Sequence, residues 1–214
     1  MSNAHRRAVA GTSVPHYGDM ASSSHVVCQP QPMPSVPEFV RPPRDHRGPI
    51  HLAHSDPEWA QQYAEVAARI RQVLGPLAVV VEHVGSTSVP GLAAKPVLDV
   101  LLLVPDPSDE AAYVPQLEAS GFLLHFREPE WHQHRFLTAH DPEVQVHAFA
   151  EGCEEAERML VFRDRLRADD GDRALYEETK RRLAARSWER VQDYADAKSD
   201  VVEAIIARAR TGRV

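Results

Sequence analysis

The most informative residues in this sequence follow a run of valines. Gly85 comes first, and three hydroxyl side chains and a lysine come after it, Ser86, Thr87, Ser88 and Lys95. Glycine permits a tight turn and a close approach of the backbone to a ligand. Hydroxyls, backbone N–H groups near a helix start and a nearby cation all favour anions. The pattern therefore predicts a phosphate site, and the alternative is an ordinary strand-to-helix turn with a serine as its cap.

A single carboxylate follows on the next apolar segment. Asp99 lies in the run 97–104, and all the remaining residues of this run are Val or Leu. A charge in such a run is costly to bury unless it is paired or binds a metal. Two interpretations stay open. Asp99 contacts a magnesium ion jointly with substrate phosphates, or it is a structural group that pairs with Lys95 or caps a neighbouring turn.

The segment GSTSVPGLAAKP at 85–96, followed by an apolar strand with one Asp, resembles the GrpB family. This family is a largely uncharacterised branch of the nucleotidyltransferase superfamily. The resemblance implies an α/β (α+β) fold of the polymerase-beta nucleotidyltransferase type, with a mixed or antiparallel sheet flanked by helices and a helical C-terminal part. It also implies transfer of a nucleoside monophosphate from a nucleoside triphosphate to a small acceptor, with magnesium.

One position departs from the pattern of active transferases of this fold. They carry two acidic residues two positions apart on the strand, so that both carboxylates share one face. In this sequence Leu101 takes the second position, which weakens a two-metal clamp. The alternative function is therefore a catalytically silent module that binds a nucleotide or another phosphorylated ligand. A third possibility, an interaction protein that uses the helical half and the Pro-rich N-terminal segment, has the least support.

His147 is the second candidate for catalysis. It lies in the predicted strand 144–149, where the resemblance implies a polar residue facing the site. Histidine can ligate a metal, bind phosphate when protonated, or act as acid or base. A lone histidine on a strand is more often a half-buried structural residue, and this alternative stays open. His132 and His134 are expected to be solvated or hydrogen-bonded, or to line the mouth of the pocket.

The C-terminal half adds cations to the candidate site. Arg158, Arg163 and Lys198 match basic positions of the family pattern, and Arg135 lies on a predicted strand. Arginine forks match the geometry of phosphate and carboxylate groups well, so these four residues are candidates for ligand binding. The alternative is that the arginines are solvated or form weak surface pairs.

The elements that must position these residues alternate between helix and strand. Apolar residues at spacings of three and four predict a helix, and β-branched runs predict strands. The predicted order is helix 55–74, strands 79–84 and 97–104, helix 107–120, three consecutive antiparallel strands at 122–126, 135–138 and 144–149, and helices from 154 onward with a break at 169–172.

Composition sets the outer limits. Residues 1–47 are rich in Pro, Ser and His and are predicted to be a disordered tail, and residues 48–214 are predicted to form one domain. Two cysteines do not make a disulfide framework or a zinc site. The net charge of −7 argues against broad nucleic-acid binding, and no apolar run is long enough to span a membrane. We therefore expect a cytoplasmic protein whose partner is a small nucleotide or phosphorylated molecule.

Overall fold

Residues 36–42 and 48–212, as described by a computed structural model, form an α/β fold. The strands and helices follow one another as β1 (Glu38–Phe39), β2 (Gly48–Pro49), α1 (Glu58–Leu74), β3 (Val80–Val84), β4 (Leu98–Val104), α2 (Glu110–Ala119), β5 (Leu123–Glu128), β6 (His134–Ala139), β7 (Val144–Ala150), α3 (Glu154–Ala168), α4 (Asp170–Ala184), β8 (Ser187–Trp188), α5 (Val191–Asp196) and α6 (Ser199–Thr211). No helix within these ranges has the length and apolar character needed to cross a membrane.

A six-stranded sheet has the order β1-β5-β6-β7-β4-β3. Strands β5, β6 and β7 pair antiparallel, as the sequence predicted, whereas β4 and β7 pair parallel. This mixed sheet, flanked by helices and followed by a helical C-terminal part, confirms the predicted fold class. The parallel pair matters for the site because it places Asp99 of β4 directly beside Gln145 of β7.

Helices α1 and α2 cover one face of the sheet. Val100 and Leu102 of β4 pack there with Val66 and Ile70 of α1 and with Leu117 of α2. Side chains alternate between the two faces of a strand, so burial of these two β4 residues directs Asp99 and its same-face neighbours toward the other side.

The opposite face is covered only in part. Leu101 and Phe149 pack against Ala156 of α3 in a small apolar cluster. Helices α4 and α6 lie against α3 and against the segment that follows β3, where Leu92 packs with Tyr176. The polar end of this face, around Asp99, is left beside the C-terminal helices.

The N-terminal boundary of the folded part lies earlier than composition predicted. Glu38 and Phe39, inside the predicted tail, pair with β5, and the Phe39 ring lies 5.7 Å from the Phe126 ring. A strand of two residues is too short to leave a periodic signal, so the prediction was wrong for this stretch. Residues 1–35 and 43–47 lie outside the described residues, and disorder there stays a prediction.

The C-terminal helices break where the sequence predicted and once more beyond it. Asp169 ends α3 and begins α4, and its side chain accepts a hydrogen bond from the Asp172 backbone N–H. A second break comes after α4, where Ser187–Trp188 forms β8 and pairs with β2. This pairing depends on a partner far away in sequence, which local periodicity does not reveal.

Candidate functional site

The turn that follows strand β3 lies directly against Asp99. Val84, the last residue of β3, pairs with Asp99, and Gly85 follows with φ of 66°. A Cβ atom at Gly85 would overlap Oδ2 of Asp99 and lie 2.7 Å from its Cγ. Glycine is therefore required here twice, by the left-handed backbone and by the contact with the carboxylate.

Two of the three hydroxyls in the turn stabilise the turn itself. Thr87 donates to the Val97 carbonyl at 3.1 Å, and Ser88 donates to the Gly85 carbonyl at 2.6 Å. Each hydroxyl has one proton to donate, so neither retains a donor for a ligand. Ser86 differs, because its hydroxyl interacts with that of Tyr176 beside the pocket.

His83 supports the turn from the other side. Its Nε2 lies 3.1 Å from Thr87 Oγ1, whose own proton goes to Val97, so Nε2 of His83 must be the donor. The ring is stacked on Tyr63 of α1 at 4.5 Å. Burial lowers the pKa of His83 to about 4, against an opposing influence of Asp99. A neutral imidazole is therefore part of the folded turn at neutral pH.

The helical segment after Gly85 is a single turn. Ser86–Ser88 forms one 3-10 turn, and an extended chain follows at Val89. The aligned peptide dipoles of a longer helix are therefore missing from this turn. Attraction of an anion to the site must come mainly from charged side chains.

Those charges are three lysines and Arg167, whose guanidinium donates to the Ser88 carbonyl of the turn. Of the 24 Lys and Arg residues in the sequence, only three are lysine, Lys95, Lys180 and Lys198. Lys95 and Lys198 interact with Asp99, and Lys180 interacts with Lys198 and donates to the Ala93 carbonyl.

Burial lowers the pKa of Lys95 and of Lys198, and the charge of Asp99 opposes that effect in both. The positive charge of Lys198 further lowers the pKa of the other two. Glu143 also opposes the effect of burial on Lys95. Neither Lys95 nor Lys198 forms a salt bridge within residues 36–42 and 48–212.

Two tyrosines line the lysine cluster. Lys180 is 2% exposed, donates to the Ala93 carbonyl and lies 4.9 Å from the centre of the Tyr176 ring. Burial lowers the pKa of Lys180 to about 7. Lys198 lies 4.5 Å from the centre of the Tyr194 ring, and the buried Tyr194 hydroxyl has no hydrogen-bond partner among the described residues. Aromatic faces thus stabilise two of the three ammonium groups.

His147 completes the site on the sheet side. Its Nε2 lies 4.0 Å from Asp99 Oδ1, and its Nδ1 lies 3.3 Å from Nε2 of His134. Nδ1 of His134 in turn lies 2.8 Å from Oε2 of Glu128. The four residues follow one another on one sheet face, across β4, β7, β6 and β5.

Three candidate arginines lie outside this cluster. Arg135 is on the opposite sheet face, where it pairs with Glu110 at 2.5 Å. Arg158 pairs with Glu155 and Glu203, both at 2.8 Å, on the outside of α3 and α6. The guanidinium groups of both arginines are thus paired with glutamates of the protein and lie away from the Asp99 site.

Arg163 connects α3 with β3. It pairs with Glu82 at 2.7 Å and donates to the His83 carbonyl at 3.1 Å.

Of the predicted site residues, the structure therefore brings together Gly85, Ser86, Lys95, Asp99, His147 and Lys198, with Thr87 and Ser88 supporting the turn.

Sequence reasoning missed several residues that lie at or beside the site. Tyr176 and Lys180 are four apart on α4 and so share one helix face, which is a usable signal. The rarity of lysine is another. His134 was expected to be solvated or hydrogen-bonded, or to line the pocket mouth. It is 3% exposed and lies 2.8 Å from Glu128 Oε2, so the hydrogen-bonded alternative is confirmed and the solvated one was wrong.

The donor set limits which metal chemistry the site can support. Within the described ranges, no group of three or more His, Cys, Asp or Glu residues is arranged to hold a metal ion. Leu101 is fully buried and offers no second carboxylate. Asp99 fits one magnesium ion that is shared with the oxygens of a bound phosphate, and the residues do not fit a pair of ions.

The mixed sheet, its flanking helices and the polar cluster around Asp99 define an α/β protein. Residues 49–208 match the model of the GrpB protein, and the chain belongs to the GrpB family. A UPF0157 protein of Halalkalibacterium halodurans is 50% identical over 166 residues, which cover 78% of this chain and 85% of the relative.

A solved structure and a longer relative extend this comparison. The crystal structure of conserved protein GrpB from Enterococcus faecalis matches with a TM-score of 0.63 and 27% identity, over 74% of this chain and 96% of that one. A protein of Mycobacterium leprae named dephospho-CoA kinase is 34% identical over 184 residues, which cover 70% of this chain and 44% of that protein.

Proposed function

We propose that the pocket between the Gly85 turn, Asp99 and the three lysines binds the phosphate groups of a nucleotide or of another phosphorylated small molecule. The observation that carries this proposal is that Lys95 and Lys198 both interact with Asp99, and that the third lysine of the sequence, Lys180, lies close enough to Lys198 for their charges to interact. The charge of Asp99 acts on both Lys95 and Lys198, and that of Glu143 acts on Lys95, yet among the described residues no carboxylate forms a salt bridge with either ammonium group. A bound phosphate would pair with these ammonium groups directly.

The energetics of half-buried ammonium groups support the same proposal. Taking a cation out of water costs free energy unless an anion or hydrogen-bond acceptors compensate. Lys95 and Lys198 are both partly withdrawn from solvent, and burial lowers the pKa of each. A bound phosphate would stabilise the charged forms, so binding is expected to take up protons at alkaline pH.

A nucleotide is the favoured class of phosphorylated ligand. The name of the Mycobacterium leprae relative, dephospho-CoA kinase, describes an enzyme that acts on a nucleotide derivative. That relative is more than twice as long as the matched region, so its activity is an argument about ligand class and not about reaction. The GrpB resemblance to nucleotidyltransferases supports the same class.

Nucleotidyl transfer is the second candidate function, and the pair Asp99 and His147 favours it. Magnesium, when bound, would be held by Asp99 and phosphate oxygens and would withdraw charge from the phosphorus centre. The chain itself would bind the phosphates through its lysines, admit them closely at Gly85, and hold a histidine nitrogen 4.0 Å from the carboxylate. An interaction protein has no comparable support in the pocket.

Calorimetric titration tests phosphate binding. Nucleoside triphosphates and pyrophosphate are titrated, with and without magnesium, into wild type, Lys95→Met, Lys198→Met and Arg182→Met. Arg182 is an exposed cation on α4 and provides a matched loss of charge away from the pocket. Loss of either lysine is expected to weaken binding by about tenfold or more, and loss of Arg182 by much less.

Two outcomes would contradict the proposal. One is that no phosphate compound binds wild type, and the other is that the lysine variants bind as Arg182→Met does. Release of pyrophosphate from a bound triphosphate in the presence of candidate acceptors separates the transferase from the silent module. Asp99→Asn is expected to abolish any dependence of binding on magnesium.

A further inference from the structure

A chain of polar contacts leads away from Asp99 across the sheet. Its members are His147, His134 and Glu128, joined at 3.3 Å between the imidazoles and at 2.8 Å between His134 and the carboxylate. The two imidazole rings are nearly parallel, with an angle of 12° between their planes. Each ring nitrogen that faces a neighbour must either donate or accept, so the chain fixes where the protons are.

The carboxylate end sets the direction of the chain. An ionised carboxylate only accepts hydrogen bonds, so Nδ1 of His134 carries a proton toward Glu128. His134 is 3% exposed. The centre of its ring lies 5.3 Å from the centre of the Trp131 ring and 4.6 Å from that of Phe149. Burial lowers the pKa of His134 to about 4, although Glu128 opposes this effect, while the charges of His147 and Arg135 add to it. His134 is therefore neutral at neutral pH, and its Nε2 is an acceptor.

The protonation of His134 fixes which nitrogen of His147 carries a proton. Since Nε2 of His134 accepts, Nδ1 of His147 must donate to it across 3.3 Å. A neutral His147 then has no proton on Nε2, the nitrogen that faces Asp99. The 4.0 Å between this nitrogen and Oδ1 of Asp99 is too long for a hydrogen bond, as expected for two acceptors.

The opposite polarity is disfavoured by the same contacts. It would require a doubly protonated His134 between two aromatic rings, with a proton on Nε2 of His147 pointing to Asp99. Such a proton would draw His147 and Asp99 together to hydrogen-bond distance, yet they stay 4.0 Å apart.

We infer that Glu128 and His134 are positioning residues that hold His147 in its Nδ1-protonated tautomer, so that the space between His147 and Asp99 takes a hydrogen-bond donor, a hydroxyl or an amine. This inference rests on the proposed function, since the donor is a second group of the phosphorylated ligand or of the molecule that accepts from it. Two acceptors side by side attract a donor and repel another anion. The acceptor class for a transfer reaction is thus an alcohol or an amine.

Nitrogen NMR of the histidine side chains tests the positioning step without any ligand. In wild type, His147 is expected to show a pyrrole-type shift at Nδ1 and a pyridine-type shift at Nε2. Glu128→Leu and His134→Phe are expected to move His147 toward protonation at Nε2, while Glu128→Gln, which keeps an acceptor oxygen, retains the wild-type tautomer. His51→Gln, a change at an exposed histidine, serves as control.

The NMR outcome stands apart from phosphate binding. A proton on Nε2 of His147 in wild type overturns the inference, and so does an unchanged His147 in both folded variants, which backbone amide spectra identify as folded. If one variant unfolds, the other decides. Either result leaves the proposed phosphate site untouched.

A matched pair of small phosphates tests the donor subsite. Phosphoethanolamine and propyl phosphate have the same chain length and differ in an ammonium against a methyl group. Wild type is expected to bind the amine about tenfold more tightly, and His147→Phe is expected to remove that preference. Equal affinities in wild type overturn the donor subsite. Failure of both compounds to bind contradicts the phosphate site, while the tautomer result remains valid.

Discussion

At the scale of single residues, the site differs from the rest of the chain in containing lysines, beside Arg167, whose guanidinium donates to the Ser88 carbonyl. Arginines elsewhere form ion pairs that connect elements, such as Arg163 with Glu82. An ammonium group is a compact point charge whose pKa responds to burial, whereas a guanidinium stays charged. Lys180, whose pKa burial lowers to about 7, can lose its charge near neutral pH as an arginine could not.

Gly85→Ala tests the contact between the turn and the carboxylate. Its methyl group would collide with Asp99 and strain a backbone with φ of 66°. The free energy of unfolding in urea is therefore expected to fall by about 2 kcal/mol or more. Gly91→Ala is the control, because φ is 80° there and the space is open. If both variants lose the same stability, backbone strain alone explains the glycine and the Asp99 contact contributes nothing.

Two buried histidines predict how stability depends on pH. The folded-state pKa of His83 and of His134 is about 4, against an ordinary value near 6.5. The unfolded chain therefore binds more protons between these values, and stability falls as pH falls from about 6.5 toward 4. Each residue contributes up to about 3 kcal/mol to this loss.

Urea unfolding at a series of pH values measures this effect. His83→Gln keeps a donor for Thr87 but does not titrate, so it is expected to remove about half of the slope. His51→Gln is expected to leave the slope unchanged. A slope in His83→Gln as steep as in wild type would assign the acid sensitivity to other groups.

At the scale of elements, strand β4 combines a site residue and core residues on the same face. Asp99 lies at the open end of that face, and two residues later Leu101 is fully buried with Phe149 and Ala156. Helix α3 covers the second position and leaves the first. The missing second carboxylate is thus a consequence of where α3 docks.

Leu101→Asp is therefore expected to destabilise the domain instead of creating a metal pair. An unpaired carboxylate in this cluster should cost more than about 3 kcal/mol in urea unfolding. Leu101→Met, which preserves volume and polarity, should cost less than about 1.5 kcal/mol. A stable Leu101→Asp protein that binds magnesium more tightly than wild type would show that α3 can move away and leave position 101 open to the site.

At the scale of the whole molecule, the described fold begins at its short edge strand. Deletion of residues 1–35 is expected to leave the melting temperature nearly unchanged, because their composition predicts little packing. Deletion of residues 1–42 also removes β1 and the Phe39 contact with Phe126. This longer deletion should lower the melting temperature by roughly 2–4 °C. Equal melting temperatures for the two deletions would show that β1 adds no stability.

The sequence by itself determined the features that depend on near neighbours along the chain. Helix α1 and strands β3 to β7 follow from local periodicity, and the Gly85 turn reaches Asp99 because β3 and β4 are consecutive antiparallel strands. The resemblance to the GrpB family identified the same turn. These features need no knowledge of how distant elements dock.

Only the tertiary structure decided which distant residues meet at that turn. The parallel register of β4 and β7 brings His147 to Asp99, and the sheet order places His134 and Glu128 behind it. Docking of α4 brings Lys180 to the Ala93 carbonyl. No local pattern encodes these registers, because they result from burying apolar faces of several elements at once, and the polar contacts follow from that packing.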